Sequence, residues 1–139
     1  MVRHDIGCRL RNALSELETL RKRLEQFQTE AGIPEKSLFE INLVLDELFT
    51  NIVSCGFRDM DLHQVEITIT REGKWVTICI RDDGVPFNPT SAASPEKDCT
   101  IEERRIGGIG LHLVRRLTDE MTYLRQGACN IITLRKQLP

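Results

Sequence analysis

The sequence of 139 residues has little of several things, and each shortage removes a class of protein. Positive charge is not in excess: 19 Lys and Arg stand against 21 Asp and Glu, for a net charge of −2 and no long basic run. A duplex-DNA binder needs a concentrated basic surface, so nucleic acid is not expected as a partner. No apolar run approaches the ~20 residues of a membrane span, and Arg3, Asp5 and Arg9 interrupt the first ten residues where a signal peptide needs an apolar stretch. No membrane association is expected. The cysteines (Cys8, Cys55, Cys79, Cys99 and Cys129) are odd in number and scattered, with no C-x-x-C pair for zinc or redox chemistry. Reduced thiols in a cytoplasmic protein are the natural expectation.

What is present fits one soluble domain over 1–139, inside the ~100–200 residues typical of one domain. The composition is 40% hydrophobic and 29% charged, that of an ordinary globular chain. Ile6, Cys8 and Leu10 alternate with polar residues and predict a first strand buried on one face. Leu17, Leu20, Leu24, Phe27 and Ala31 recur at helical steps, with Ser15 and Glu18 as a candidate capping box and Gly32 as the stop. A second helix is predicted from about Pro34 to Cys55, with Leu38, Ile41, Leu45, Leu48 and Ile52 on its buried stripe and Gly56 ending it. Val65–Ile69 and Val76–Ile80 alternate around Glu72-Gly73, as a hairpin does, and a second hairpin is predicted from Met121–Gln126 and Cys129–Lys136, turning at Gly127-Ala128. Between the hairpins, residues 84–107 are rich in proline and serine without apolar periodicity, as a functional lid is. A third helix, opened by the Gly107-Gly108-Ile109-Gly110 run, follows with Leu111, Val114 and Leu117. Three helices on one face of a mixed, mostly antiparallel five-stranded sheet make a two-layer α/β sandwich.

Three places are suited to chemistry. Glu47 and Asn51, four apart, share one face of the second helix, where a carboxylate and an amide oxygen can serve a magnesium ion and a reacting hydroxyl. Alone, the pair reads more simply as a solvated helix face with Asp46 and Thr50 beside it. Asp82-Asp83-Gly84 closes a strand, and a carboxylate there can accept hydrogen bonds from an exocyclic amine; an ordinary turn has the same residues. Gly107-Gly108-Ile109-Gly110 opens a helix behind Arg104 and Arg105, an arrangement for an anion or for a hinge. No Gly-Lys-Ser/Thr follows it, so it is not a Walker A loop. The histidines (His4, His63, His112) have no partner at metal-ligand spacing, Trp75 falls on the outward face of its strand, and Arg21-Lys22-Arg23 reads as a solvated helix face.

The order of these features, Glu-x-x-x-Asn, Asp-x-Gly, lid, Gly-x-Gly and a closing hairpin, resembles the histidine kinase-like (GHKL) ATPase superfamily over nearly the whole chain. Within it, Glu47-Leu48-Phe49-Thr50-Asn51 and Gly108-Ile109-Gly110-Leu111 look like the signature boxes of bacterial anti-sigma factor serine/threonine kinases. The resemblance implies an ATP-dependent protein serine kinase that phosphorylates a small anti-anti-sigma (STAS-type) protein, holds a sigma factor, and forms a homodimer. The alternative is a nucleotide-dependent binding module that regulates a protein partner without phosphoryl transfer. By the same resemblance Asn51 holds Mg²⁺ on the ATP triphosphate, Glu47 is the general base, and Asp82 binds the adenine amino group beside Gly84. Gly108 and Gly110 wrap the phosphates, Gly107 loosens the lid, and Arg105 contacts the γ-phosphate. Ordinary acid–base properties would leave Glu47 ionised at neutral pH. The sequence departs from the family pattern at Pro86, at Asn130 in the final hairpin, and at Cys55.

Overall fold

The computed structural model describes residues 3–57, 59, 61–90 and 110–139. Five strands form a sheet in the order β1-β2-β3-β5-β4: β1 (Arg3–Arg11), β2 (Gln64–Glu72), β3 (Trp75–Asp82), β4 (Glu120–Gln126) and β5 (Cys129–Gln137). All four pairings are antiparallel. Besides two long helices, α1 (Leu17–Ala31) and α2 (Glu35–Cys55), residues 110–117 are helical and are here called α3.

The strands are half-buried because their apolar residues alternate. Ile6 and Leu10 of β1 pair in register with Ile69 and Val65 of β2, and Ile67 and Ile69 pair with Ile80 and Ile78 of β3. Their side chains form one core with Leu20, Leu24 and Phe27 of α1 and with Ile41, Leu45, Leu48 and Ile52 of α2, so the helices cover a single face of the sheet. The outward face is polar and threonine-rich, and there Arg135 stacks its guanidinium 4.1 Å from the ring centre of Trp75. No described helix is long and apolar enough to cross a membrane.

Glycines end both long helices where the sequence places them. Gly32 is left-handed at φ 67° after α1, a conformation that suits a residue without Cβ, and Gly56 follows α2. The capping box at Ser15 and Glu18 is not formed. Leu14–Glu16 wind into a 3-10 turn, α1 starts at Leu17, and no side chain caps its N-terminus among the described residues. The Glu16 carboxylate instead accepts the Arg11 backbone N–H at 2.9 Å and pairs with the Arg11 guanidinium at 3.5 Å. The reduced thiols expected from the sequence are found at Cys8, Cys79 and Cys129, whereas Cys55 is disulfide-bonded.

Three elements meet at Lys136. It is an inward position of β5, nearly buried, and its ammonium donates to the Leu117 carbonyl at the end of α3 (2.7 Å) and pairs with Glu40 of α2 at 2.9 Å.

Candidate functional site

The C-terminal end of α2, the end of β3 and the start of β5 converge on one cavity. Its walls include Asn51 and Gly56 from the helix side, Asp82 and Phe87 from β3 and its exit, and Asn130 from β5. Two of the residues singled out in the sequence, Asn51 and Asp82, are thus brought together although they stand 31 positions apart in the chain.

Asp82 is only 4% exposed. Its Oδ1 accepts the Gly84 N–H at 2.8 Å and the Asn130 amide at 3.1 Å. Burial pushes its carboxyl above the ordinary value, against these two hydrogen bonds, which pull it down. Gly84 sits where a side chain cannot. A Cβ there would overlap the Gly56 carbonyl oxygen and approach Asp82 Oδ1 to 2.9 Å, because the turn is drawn onto the end of α2 by a 2.7 Å hydrogen bond from Val85 N–H to Gly56 O. Both obstacles are held by hydrogen bonds. Gly84→Ala is therefore expected to destabilise the fold by about 1–3 kcal/mol, the usual effect of overpacking, lowering the melting temperature by roughly 4–10 °C. A thermal melt followed by circular dichroism checks this.

Asn130 is a site residue that the sequence marks only as a departure from the family pattern. It is buried opposite Asp82 in the β3–β5 register. Its amide donates to Asp82 and to the Val85 carbonyl (2.9 Å), while its own oxygen accepts the Tyr123 hydroxyl at 2.5 Å. Arg125 adds a 2.8 Å hydrogen bond to the Gly84 carbonyl. The Asp82–Val85 turn is thereby fixed by α2, β4 and β5 together. The signal that finds Asn130 is the strand period: positions 130, 132, 134 and 136 all point inward.

Glu47 lies one helical turn before Asn51 and touches α3. A Cβ on Gly110 would overlap the Glu47 carboxylate, so glycine at the head of α3 is what lets the two come together. The acid–base behaviour of Glu47 differs from the sequence expectation: burial, and then the neighbouring Asp46 charge, push its carboxyl above the ordinary value. Asp46 is raised by burial as well. A carboxylate moved toward neutrality is a better proton acceptor at working pH than an ordinary one. Arg105, Gly107 and Gly108, with most of the expected lid 84–107, lie outside the described residues.

A half-covered antiparallel sheet, with an aspartate–glycine turn facing a helix that carries Glu and Asn one turn apart, defines a class of nucleotide-binding domain. The model of the histidine kinase-like ATPase domain matches residues 10–136, and the chain belongs to that family, whose description implies ATP as ligand. Among its relatives is a protein named serine/threonine-protein kinase BtrW from Bordetella bronchiseptica, 31% identical over 96 residues that make up 69% of this chain and 68% of BtrW. Another is named anti-sigma F factor, from Bacillus velezensis, 27% identical over 112 residues, 80% of this chain and 77% of that protein. In structure, the chain resembles the histidine kinase domain of the Erythrobacter litoralis EL346 blue-light activated histidine kinase, with a TM-score of 0.55 at 19% identity, over 90% of this chain and 60% of that one. A second structure of that kinase gives a TM-score of 0.52 at 22% identity, over 76% of this chain and 32% of the other. These structures establish a shared fold.

Proposed function

We propose that the chain is a single cytoplasmic domain acting as an ATP-dependent protein serine kinase and anti-sigma factor, with a small anti-anti-sigma protein as its substrate, a sigma factor as its second partner, and a homodimer as its working form. The observation that carries this reading is the convergence of Asn51 and Asp82 on one cavity, with Glu47 a turn away against the head of α3. The family relation to proteins named serine/threonine kinase and anti-sigma factor supports it.

In this reading Asp82 accepts the adenine amino group, its carboxylate preset by Asn130 and Gly84. The amide oxygen of Asn51 is a hard donor on the cavity wall, as Mg²⁺ requires; the ion supplies charge neutralisation on the triphosphate. Gly108, Gly110 and Arg105 contact the phosphates, and Gly107 lets the lid move. Glu47 takes the proton of the incoming serine hydroxyl as its oxygen bonds to the γ-phosphorus. The bond from that phosphorus to the bridging oxygen breaks, and ADP leaves with the electron pair.

Glu47→Gln tests the assignment. Removing a general base typically lowers rate ~10²–10⁴-fold. The variant is expected to lose phosphoserine formation on a small anti-anti-sigma protein, read by intact-protein mass spectrometry, while calorimetry shows ATP affinity unchanged. If the variant transfers phosphate as fast as the parent, Glu47 is not the base. If the parent binds ATP and partner but transfers nothing, the chain is the nucleotide-dependent binding module instead.

A further inference from the structure

The loop between α2 and β2 carries a side-chain cluster that the kinase reading leaves unused. His63 Nδ1 lies 3.0 Å from Asp83 Oδ1, and its Nε2 lies 2.7 Å from Asp59 Oδ1. Carboxylates only accept, so a ring facing one on each nitrogen makes both hydrogen bonds only when both nitrogens carry protons. A neutral ring would turn a lone pair onto one of the two carboxylates. The ring is held from other sides as well. It stacks on Phe57, with ring centres 4.4 Å apart and planes at 20°. Its backbone exchanges two 3.0 Å hydrogen bonds with Asn12, just past β1. Its side chain is 16% exposed, against 53% for Asp59 and 50% for Asp83.

Asp83 is the middle residue of the turn that holds Asp82 in the cavity. On its inner side the turn is tied to Gly56 and Asn130, and on its outer side the tie is His63. We propose that His63, as a doubly protonated ring bridging Asp59 and Asp83, is a positioning residue for the nucleotide and makes nucleotide affinity depend on pH. This rests on the nucleotide reading above and adds its regulation. Among the described residues, the charged and titratable groups around the ring are Asp59 and Asp61 of its own loop, Glu66 of β2, Arg81 and Asp82 of β3, Asp83 of the turn after it, and the Cys129 thiol of β5. Among the described residues they form no metal-binding cluster, and both ring nitrogens are already engaged.

The hydrogen bond to Asp59 is the largest of the influences that raise His63 above the ordinary histidine value, and the Asp59 and Asp83 charges add to it. The sign follows from that direction: the bridge is complete below the ordinary histidine pKa and is lost as pH rises through the raised value. Two half-exposed carboxylates make it a modest lever, so affinity for ADP is expected to fall about three- to fivefold between pH 6 and pH 8.5 because of His63.

Calorimetric titration of ADP with Mg²⁺ into the full chain across that range, in wild type, His63→Gln and Asp83→Ala, tests this. Ionisation of ADP itself is common to all three, so the ratio of variant to wild-type affinity is the readout. Both variants should bind a few-fold more weakly at pH 6 and converge on wild type at pH 8.5, and ring ¹⁵N shifts should show an imidazolium at position 63 persisting above the ordinary histidine value. A ratio constant with pH, or a His63 ring that titrates at or below the ordinary histidine value, overturns the proposal and leaves the nucleotide reading intact. Absence of ADP binding by the wild type at every pH overturns that reading.

Discussion

Asp82→Asn is expected to abolish measurable nucleotide binding without lowering the melting temperature. An amide oxygen can still accept from Gly84 N–H and from Asn130, so the turn keeps its hydrogen bonds. On the proposed reading, what disappears is the second carboxylate oxygen as an acceptor for the adenine amine, replaced by a donor facing a donor. A site built for one polar pairing rejects the mismatch strongly, and a loss of roughly 100-fold or more in affinity follows. Stability moves the other way. Burial raises the Asp82 carboxyl above its ordinary value, so the folded state holds its proton more tightly than the unfolded chain does. The stability linked to that proton is present below the unfolded value and is lost as pH rises through the folded one. At neutral pH the ionised group is a burden that the amide removes. A thermal melt beside a calorimetric titration separates the two effects, and a variant that keeps ATP affinity within a few-fold would place adenine recognition elsewhere.

The second large effect belongs to Lys136→Ala. Removing the ammonium leaves the Glu40 carboxylate, only 23% exposed, without its cation, and strips the donor from the Leu117 carbonyl. Breaking a buried pair from one side typically costs about 3–5 kcal/mol. Glu40 can recover some water, so about 2–3 kcal/mol is expected, with a fall in melting temperature of roughly 10 °C. The double change Glu40→Leu with Lys136→Met should restore most of the loss, because an apolar pair of similar volume fills the space without desolvating charge. If the single variant melts within ~2 °C of the parent, the pair is solvated in solution.

The fold was legible because its strands and helices announce themselves locally. Alternation at Val65–Ile69 and Val76–Ile80, and helical steps from Leu20 to Phe27, each need only a window of a few residues. Helix ends at Gly32 and Gly56 were equally local. Where local and distant interactions compete, the sequence alone misleads: Ser15 and Glu18 have capping-box spacing, but Glu16 finds the Arg11 backbone first. The site divides along the same line. Glu47, Asn51 and Asp82 stand out through spacing and resemblance, whereas Asn130 and His63 act on a turn 48 and 20 residues away; the strand period marks Asn130 as inward, but neither residue's partner is visible until the fold is known. Glu47 shows a further gap. Its raised carboxyl depends on burial and on Asp46 beside it, and a residue string does not display burial.

Asp82 and the side chain that orients it are joined across the β3–β5 register, so during synthesis the ribosome finishes Glu47, Asn51 and Asp82 well before Asn130 emerges. A nascent or truncated chain lacking the final hairpin therefore has the Asp82 carboxylate without the amide that hydrogen-bonds it. Ligand binding stabilises only the form that binds. On the proposed nucleotide reading, ATP stabilises chains whose last strand has docked over those in which it has not.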